Sequence, residues 1–383
     1  MPCRQRPAGG FVAVVTKQIE AGRALADIYP ARFCTLCRKE DAMSKQRIQL
    51  SDHFTYPRLL RFVLPCIGTM LFTSIYGIVD GLCVSNFVGK TAFAAVNLIM
   101  PLPMLLGTIG FMLGTGGSAI VGITLGEGDQ KKADRYFTLF LLAALVSVSV
   151  LAVLGIVFLR PIAVLLGAKG ELLDYAVRYG RILMVSLPTF ALQNMFQSFF
   201  VTAEKPHLGF WFTVGAGCTN MVLDVLMVGV WGWGVEGAAI ATFISQLVGG
   251  VLPVFYFIDR SNTSRLHLCQ TKVYGGVLRD ACINGSSELM TNLSMSLVNI
   301  LYNFQLLRLA GENGVAAYGV IMYAAFLFVA VFVGYAVGSA PIVSFHYGAR
   351  NHAEVHNLYR KSLRLIAVVA VTLTLASMFI IPC

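Results

Sequence analysis

Long apolar segments separated by short polar connections dominate the chain after residue 43. Each segment has 20 or more residues, the length a helix needs to cross roughly 30 Å of hydrocarbon. The sequence shows no period-two alternation of the barrel type, so the predicted spans are helices. Nine spans are predicted, at about 59–82, 92–125, 137–159, 182–203, 208–231, 235–258, 281–307, 314–347 and 362–382. The second and eighth exceed the membrane thickness, so we expect them to tilt or project.

Composition supports the same interpretation. Hydrophobic residues make up 57% and charged residues 13% of 383 positions, against roughly 45–50% and about 25% in soluble domains. A soluble enzyme, a disordered chain, a secreted disulfide scaffold and a soluble nucleic-acid binder are therefore excluded. The closest cysteine pair, Cys34 and Cys37, has no second pair or nearby His to complete a zinc site, so no metal centre is predicted there.

The net charge of +10 follows from topology. Sixteen Lys and Arg lie on the side of the segment that precedes the first span, six lie on the other side, and seven lie in residues 1–42. The positive-inside rule then places the N-terminus in the cytoplasm and the protein in the plasma membrane as a multi-pass chain. No nucleic-acid partner is needed to explain the basic balance.

The chain contains an internal repeat at an offset of 222 residues. Gly89–Gly126 aligns without gaps with Gly311–Gly348 and is identical at 10 of 38 positions. Because six spans precede the second copy, both copies enter the membrane in the same direction, and an axis along the membrane normal relates them. We therefore expect an all-α polytopic membrane protein of two helical lobes, with nine helices of an expected twelve.

Three segments follow from this repeat. Residues 1–42 form a polar leader that does not fit the pattern, and we interpret them as an over-extended start upstream of Met43 or a disordered tail. Residues 43–260 are predicted to form the N-terminal six-helix lobe. Residues 261–383 are predicted to form an incomplete C-terminal lobe of three helices.

Of 19 acidic residues, only Asp80, Asp224 and Glu288 lie inside apolar spans. Intramembrane carboxylates are costly and usually face a functional cavity, although Asp80 near a span end has the alternative of reaching the interface. Asn220 precedes Asp224 by four residues and shares its helix face, and Thr242 lies at comparable depth in the next span. These oxygen groups suit Na⁺, and coupled buried carboxylates also suit a proton, so both coupling ions stay open.

Two further features bear on mechanism. Pro65 lies inside the first span, where a proline produces a kink with freed carbonyls. Gly126-Glu127-Gly128 lacks the lysine and the strand of a phosphate-binding loop, so no nucleotide partner is predicted.

Two stretches, Ile78–Gly89 and Asn284–Asn299, resemble the multidrug and toxin extrusion (MATE) transporters, with the bacterial DinF-like and MepA-like branches most similar. The resemblance implies twelve helices in two lobes around a central cavity, with export driven by Na⁺ or H⁺. It also implies a cation-coupling network. By motif and spacing its residues are Asp80, Asn220, Asp224 and Thr242, with Pro65 as a helix-bending proline. Glu288 departs from the family position of an essential acid and stays a candidate cavity acid only.

The resulting hypothesis is a cation-coupled exporter of drugs or bulky amphipathic cationic metabolites, with no enzymatic activity and no cofactor beyond the coupling ion. Its expected partners are small-molecule substrates and the bilayer, with a monomer as the full-length state. Two alternatives stay open. One is a lipid-linked oligosaccharide flippase of the same superfamily, and the other is a truncated, inactive membrane remnant.

Overall fold

The computed structural model describes residues 48–380 apart from 88–94, 97, 166–167 and 260. The side chains of 80–87, of many residues between 296 and 325, and of 376–380 also lie outside that description. The predicted leader, residues 1–42, is outside it as well, and the domain boundaries stay a prediction.

The described residues form nine α-helices and one π-helical segment, and they contain no strand. The helices are α1 (Tyr56–Phe87), α2 (Pro101–Gly126), α3 (Gln130–Leu165), α4 (Glu171–Thr202), α5 (Pro206–Asp224), α6 (Gly234–Gly250), α7 (Leu252–Ile258), α8 (Gly275–Gly348) and α9 (His352–Ile380), and the π-helical segment is Val225–Val230. An all-α polytopic membrane protein is confirmed.

Helices α1 to α6 correspond to the first six predicted spans. The second span was predicted from residue 92, but α2 begins at Pro101, with proline in the first turn, where its missing N–H costs nothing. Six helical segments of the described chain are long and apolar enough to cross a membrane. They are Tyr56–Val79, Pro101–Gly126, Gln130–Leu165, Pro206–Val230, Gly234–Ile258 and Phe326–Gly348. The predicted spans 182–203, 281–307 and 362–382 do not belong to this set, although residues 182–202, 281–307 and 362–380 are helical.

The seventh and eighth predicted spans lie in one continuous helix, α8, of 74 residues. A straight helix of that length would extend about 111 Å. However, both of its ends contact α2. Gly285 packs against Met112, whereas Gly348 packs against Ile123, and the first part runs antiparallel to α2 while the last part runs parallel to it. The chain therefore reverses between these contacts, as two separate spans require. The connection predicted between them, at 308–313, is nevertheless helical.

The sequence repeat has a structural counterpart in the contact between α2 and the last part of α8. A Cβ placed on Gly122 would lie 3.1 Å from the Cβ of Ser344, which is its own equivalent 222 positions later. Around this point each contact between the halves has an equivalent contact in which both residues are replaced by their counterparts 222 positions away. The equivalent contacts are Gly126 with Phe345 and Gly348 with Ile123, and Gly116 with Gly285 and Gly338 with Val63. A pseudo-two-fold axis thus passes between Gly122 and Ser344.

The ends of the two repeat helices are also built alike. Gly128 after α2 and Arg350 after α8 both have positive φ angles, of 88° and 55°. The following residue in each case, Asp129 or Asn351, caps the next helix through its side-chain oxygen. Glycine suits the left-handed conformation, and arginine adopts it at a cost because the same turn must be made.

We predict that the pair Gly122→Cys and Ser344→Cys forms a disulfide on mild oxidation in membranes. The Cβ separation is close to the range of about 3.5–4.5 Å that disulfides need. Mass spectrometry of the cross-linked peptides measures the yield. The control pair is Gly128→Cys with Ser344→Cys, because a Cβ on Gly128 meets nothing within 4 Å. Equal yields in both pairs would contradict the axis.

Candidate functional site

The centre of the candidate site is the last two turns of α5. Asn220 is 2% exposed and Asp224 is 0% exposed, and the two residues lie one helical turn apart on the same face. Within the described part of the chain, Nδ2 of Asn220 is buried and has no hydrogen-bond partner. Buried amide donors usually have a hydrogen-bond acceptor, so this N–H group indicates a polar site around the last turns of α5.

Packing of α1 against α5 sets the height of Asp80. Gly68 contacts Phe210, and a Cβ on Gly217 would lie 2.5 Å from Phe72 and 3.2 Å from Tyr76, so the two helices run parallel. Asp80 follows Phe72 by eight residues and Asp224 follows Gly217 by seven, so this register places the two backbones at the same level. The side chain of Asp80 itself lies outside the described residues.

Helix α6 places Thr242 near the same level. Gly237 packs 3.2 Å from Met227, and α6 runs antiparallel to α5, so Thr242 is level with the turn of α5 that ends at Asp224. The Thr242 hydroxyl donates to the carbonyl of Ala238 at 3.0 Å. Its oxygen lone pairs therefore stay available to accept a hydrogen bond or to ligate a cation.

A π-helical segment, Val225–Val230, begins immediately after Asp224. The Trp231 N–H donates to the carbonyl of Leu226 at 2.9 Å, which is an i to i−5 bond. Such segments are rare and often occur at functional sites, because the widened turn redirects neighbouring side chains. Sequence reasoning missed it, and Gly229 within the segment is the one signal that could have drawn attention to it.

Sequence reasoning also missed a set of neutral amides in the same half of the molecule. Asn194 and Gln197 on α4 and Gln246 on α6 each have a buried side-chain atom with no hydrogen-bond partner among the described residues. Gln246 follows Thr242 by one helical turn, so it extends the polar face toward the level of Asn220. An uncharged amide inside an apolar span is not unusual enough by itself to indicate a site.

Pro65 is buried within α1, which continues through it as helix. Its carbonyl accepts a hydrogen bond of 2.9 Å from the Thr69 hydroxyl. Next to it, Gly334 and Gly338 of α8 pack against the backbone of α1. The proline therefore lies where the two halves touch, and its bending role stays a prediction.

Glu288 does not join this group. It follows Gly285, which contacts Met112, so Glu288 belongs to the interface of α8 with α2 rather than to that of α1, α5 and α6. Its carbonyl accepts a hydrogen bond from Asn292 at 2.9 Å, and its side chain is half-buried.

The site and the fold together define a class of protein. A buried carboxylate with amide and hydroxyl oxygens, inside one half of a pseudo-symmetric helical membrane protein, is transporter architecture. The MatE family model matches residues 65–226 and 289–383, and the chain belongs to this family of multidrug and toxin extrusion transporters.

Individual relatives are distant in sequence. The multidrug export protein MepA of Staphylococcus haemolyticus (strain JCSC1435) is 23% identical over 303 residues, covering 79% of this chain and 67% of the relative. A solved MATE P26A mutant is 23% identical with a TM-score of 0.79, covering 85% of this chain and 73% of the other. A MATE transporter solved in an outward-facing conformation has the same TM-score, at 23% identity and with 85% and 72% coverage.

We predict that Gly217→Val destabilises the protein by about 1–3 kcal/mol, because the added methyl groups would overlap the Phe72 ring and push α5 away from α1. Thermal unfolding in detergent measures the change. Gly77→Val is the matched control, since it carries the same helix-propensity change and a Cβ there meets nothing within 4 Å. Equal shifts in the two variants would contradict the proposed register of α1 and α5.

Proposed function

We propose that this protein is a cation-coupled antiporter that exports drugs or bulky amphipathic, cationic metabolites by alternating access. The observation that carries the proposal is the complete burial of Asp224 in a membrane-spanning helix, one turn from a buried Asn220. A carboxylate at that depth is expensive, so its retention points to a role in handling an ion.

The coupling ion would bind between α1, α5 and α6. Asp80 and Asp224 would supply charge, and Asn220 and Thr242 would supply neutral oxygens. Na⁺ is a hard cation that favours such oxygen ligands, whereas a proton would be carried by carboxylates whose affinity rises on burial. Either ion removes net negative charge from the site. A site with less negative charge would bind a cationic substrate more weakly, so ion entry would be linked to substrate release.

The substrate class comes from the relatives and from composition. MepA proteins are described as multidrug export proteins, and the same activity is proposed for this chain. Few acids lie inside its spans, so binding would depend mainly on apolar and aromatic contacts. No further cofactor and no enzymatic step is part of the proposal, and the functional unit is proposed to be a monomer.

Orientation follows from the distribution of Lys and Arg. One end of the bundle, here termed the connection face, would lie in the cytoplasm. It holds residues 48–55, 127–129, 203–205, 259, 261–274 and 349–351. The membrane would be the cytoplasmic membrane. Alternating access would then rock the two halves against each other at the contact between Gly122 and Ser344.

We predict that Asp224→Asn abolishes ion-driven efflux while membrane insertion is unchanged. Asparagine has nearly the same volume but can neither hold the charge nor release a proton. Ethidium efflux from energised membrane vesicles measures transport, and the amount of protein in the membrane fraction measures insertion. Glu127→Gln, an exposed acid on the connection face, is the control and should retain efflux. Unchanged efflux in Asp224→Asn would remove the coupling site.

Thermal stability distinguishes Na⁺ from a proton as the coupling ion. If Na⁺ binds, the melting temperature of the parent rises with NaCl and not with choline chloride, and Asp224→Asn loses this response. If the proton is the coupling ion, neither salt shifts the parent selectively, and efflux follows an imposed pH gradient.

A further inference from the structure

The short segment that precedes α1, Leu50–Thr55, is bound to the far half of the molecule. We term it the N-terminal strap. The Phe54 N–H donates to Oε1 of Glu354 at 2.9 Å, and Lys361 donates to the Phe54 carbonyl at 2.6 Å. The Phe54 ring is fully buried and lies edge-on to His346. Glu354, Lys361 and His346 all belong to α8 or α9, whereas the strap leads into α1.

The strap is held at its other end by Glu204, in the turn between α4 and α5. Oε1 of Glu204 accepts a hydrogen bond from the Leu50 N–H at 2.9 Å and forms an ion pair with Arg265. The Arg265 guanidinium also lies 5.0 Å from the centroid of the Phe345 ring in α8. A single carboxylate thus connects the strap, the segment before α8 and the end of α8.

Glu354 is a strong anchor because it is held as a carboxylate. Burial alone would raise the pKa of Glu354, but hydrogen bonds from the Phe54 N–H, His53 and Asn357 outweigh it and lower the pKa below the usual value. Hydrogen bonds to an ionised acceptor are about twice as strong as neutral ones.

A second strap mirrors the first. The segment Leu266–Thr271, which leads toward α8 and is termed the linker strap, binds the beginning of α3. The His267 N–H donates to Asp134 at 3.0 Å, and the Cys269 N–H donates to the Thr138 hydroxyl at 3.1 Å. In the repeat, α1 corresponds to the first part of α8, and α3 corresponds to α9. Each half therefore sends the segment before its first span onto the third span of the other half.

We propose that the two crossed straps form a latch that holds the connection face closed and must release before this face can open. The inference rests on alternating access as proposed above. On this face the two halves touch at Gly122 and Ser344, and both straps cross from one half to the other beside that contact. Opening would pull Phe54 away from Glu354, so a buried N–H and a buried carboxylate would lose their partners together.

The test measures access to the contact between α2 and the last part of α8, here termed the seam, without any ion or drug. Ser344→Cys, a one-atom change, is introduced into the full chain, and peptide-resolved mass spectrometry follows the reaction of the new thiol with N-ethylmaleimide. Adding Glu354→Ala should raise the labelling rate about tenfold, since the lost bonds are charge-assisted. Glu354→Gln, which keeps one oxygen acceptor, should give a smaller increase. The control Glu127→Ala removes an exposed acid from the same face and should stay within about twofold of the parent.

Hydrogen–deuterium exchange of the peptide 48–56 reports whether the strap itself has released. Faster exchange there with unchanged labelling of the thiol introduced by Ser344→Cys would overturn the latch, because the strap would then be only a local tether. Unchanged exchange and labelling would overturn it as well. Should Glu354→Ala fail to fold, Lys361→Met removes the contact to the Phe54 carbonyl and keeps Glu354 as the partner of the Phe54 N–H. Because labelling is measured without ion or drug, the effect of Glu354→Ala does not depend on whether Asp224 couples an ion, so a failed coupling site and a failed latch give different results.

Discussion

Close approach of two backbones along α2 and the last part of α8 is the constraint on which the other packing depends. Gly126 and Gly348 each lie against the main chain of the opposite helix, so a side chain at either position would push the halves apart. In a bilayer the lipid is as apolar as the helices, and association depends on close van der Waals contact between small residues. A seam of small residues also lacks interlocking side chains, so the halves can change their angle without repacking.

Buried polar groups occur in two places in the molecule, within the spans and on the connection face. Within the membrane, Asp224 and Asn220 are withdrawn from water by α1, α5 and α6. On the connection face, Glu204 and Glu354 are also largely withdrawn, but each receives backbone N–H donors from a strap. The same residue chemistry therefore has two settings: in the spans it supplies the proposed ion site, and outside them it fixes the position of a chain segment.

The sequence alone was sufficient for the features that depend on local pattern. Hydropathy predicted α1 to α6, the repeat paired Gly126 with Gly348, which make equivalent close contacts with the opposite helix, and the four-residue spacing placed Asn220 and Asp224 on one face. Three features were not predictable. A change from i−4 to i−5 bonding after Asp224 leaves the apolar pattern almost unchanged. The helical backbone continues through the reversal in α8, although polar residues such as Glu312 and Asn313 usually indicate a loop between two spans. The partner of Phe54 lies 300 residues away, and no local signal selects it from other polar residues.

On the connection face, both straps join the two halves through polar contacts. Glu354 and Glu204 accept charge-assisted hydrogen bonds from the N-terminal strap, and the half-buried Asp134 accepts one from the linker strap. At the opposite end, the exposed pair of Arg178 on α4 and Glu236 on α6, 3.5 Å apart, lies within one half, and exposed ion pairs contribute about 0–1 kcal/mol. Trp231 and Trp233 beside it are half-exposed, as aromatic residues at a membrane interface are. Opening of the connection face would have to break the polar contacts of both straps. Alternation between the two openings would therefore require a source of free energy directed at the strapped end, and ion binding at Asp224 on the far side of the seam can provide it only if the two halves move as rigid units.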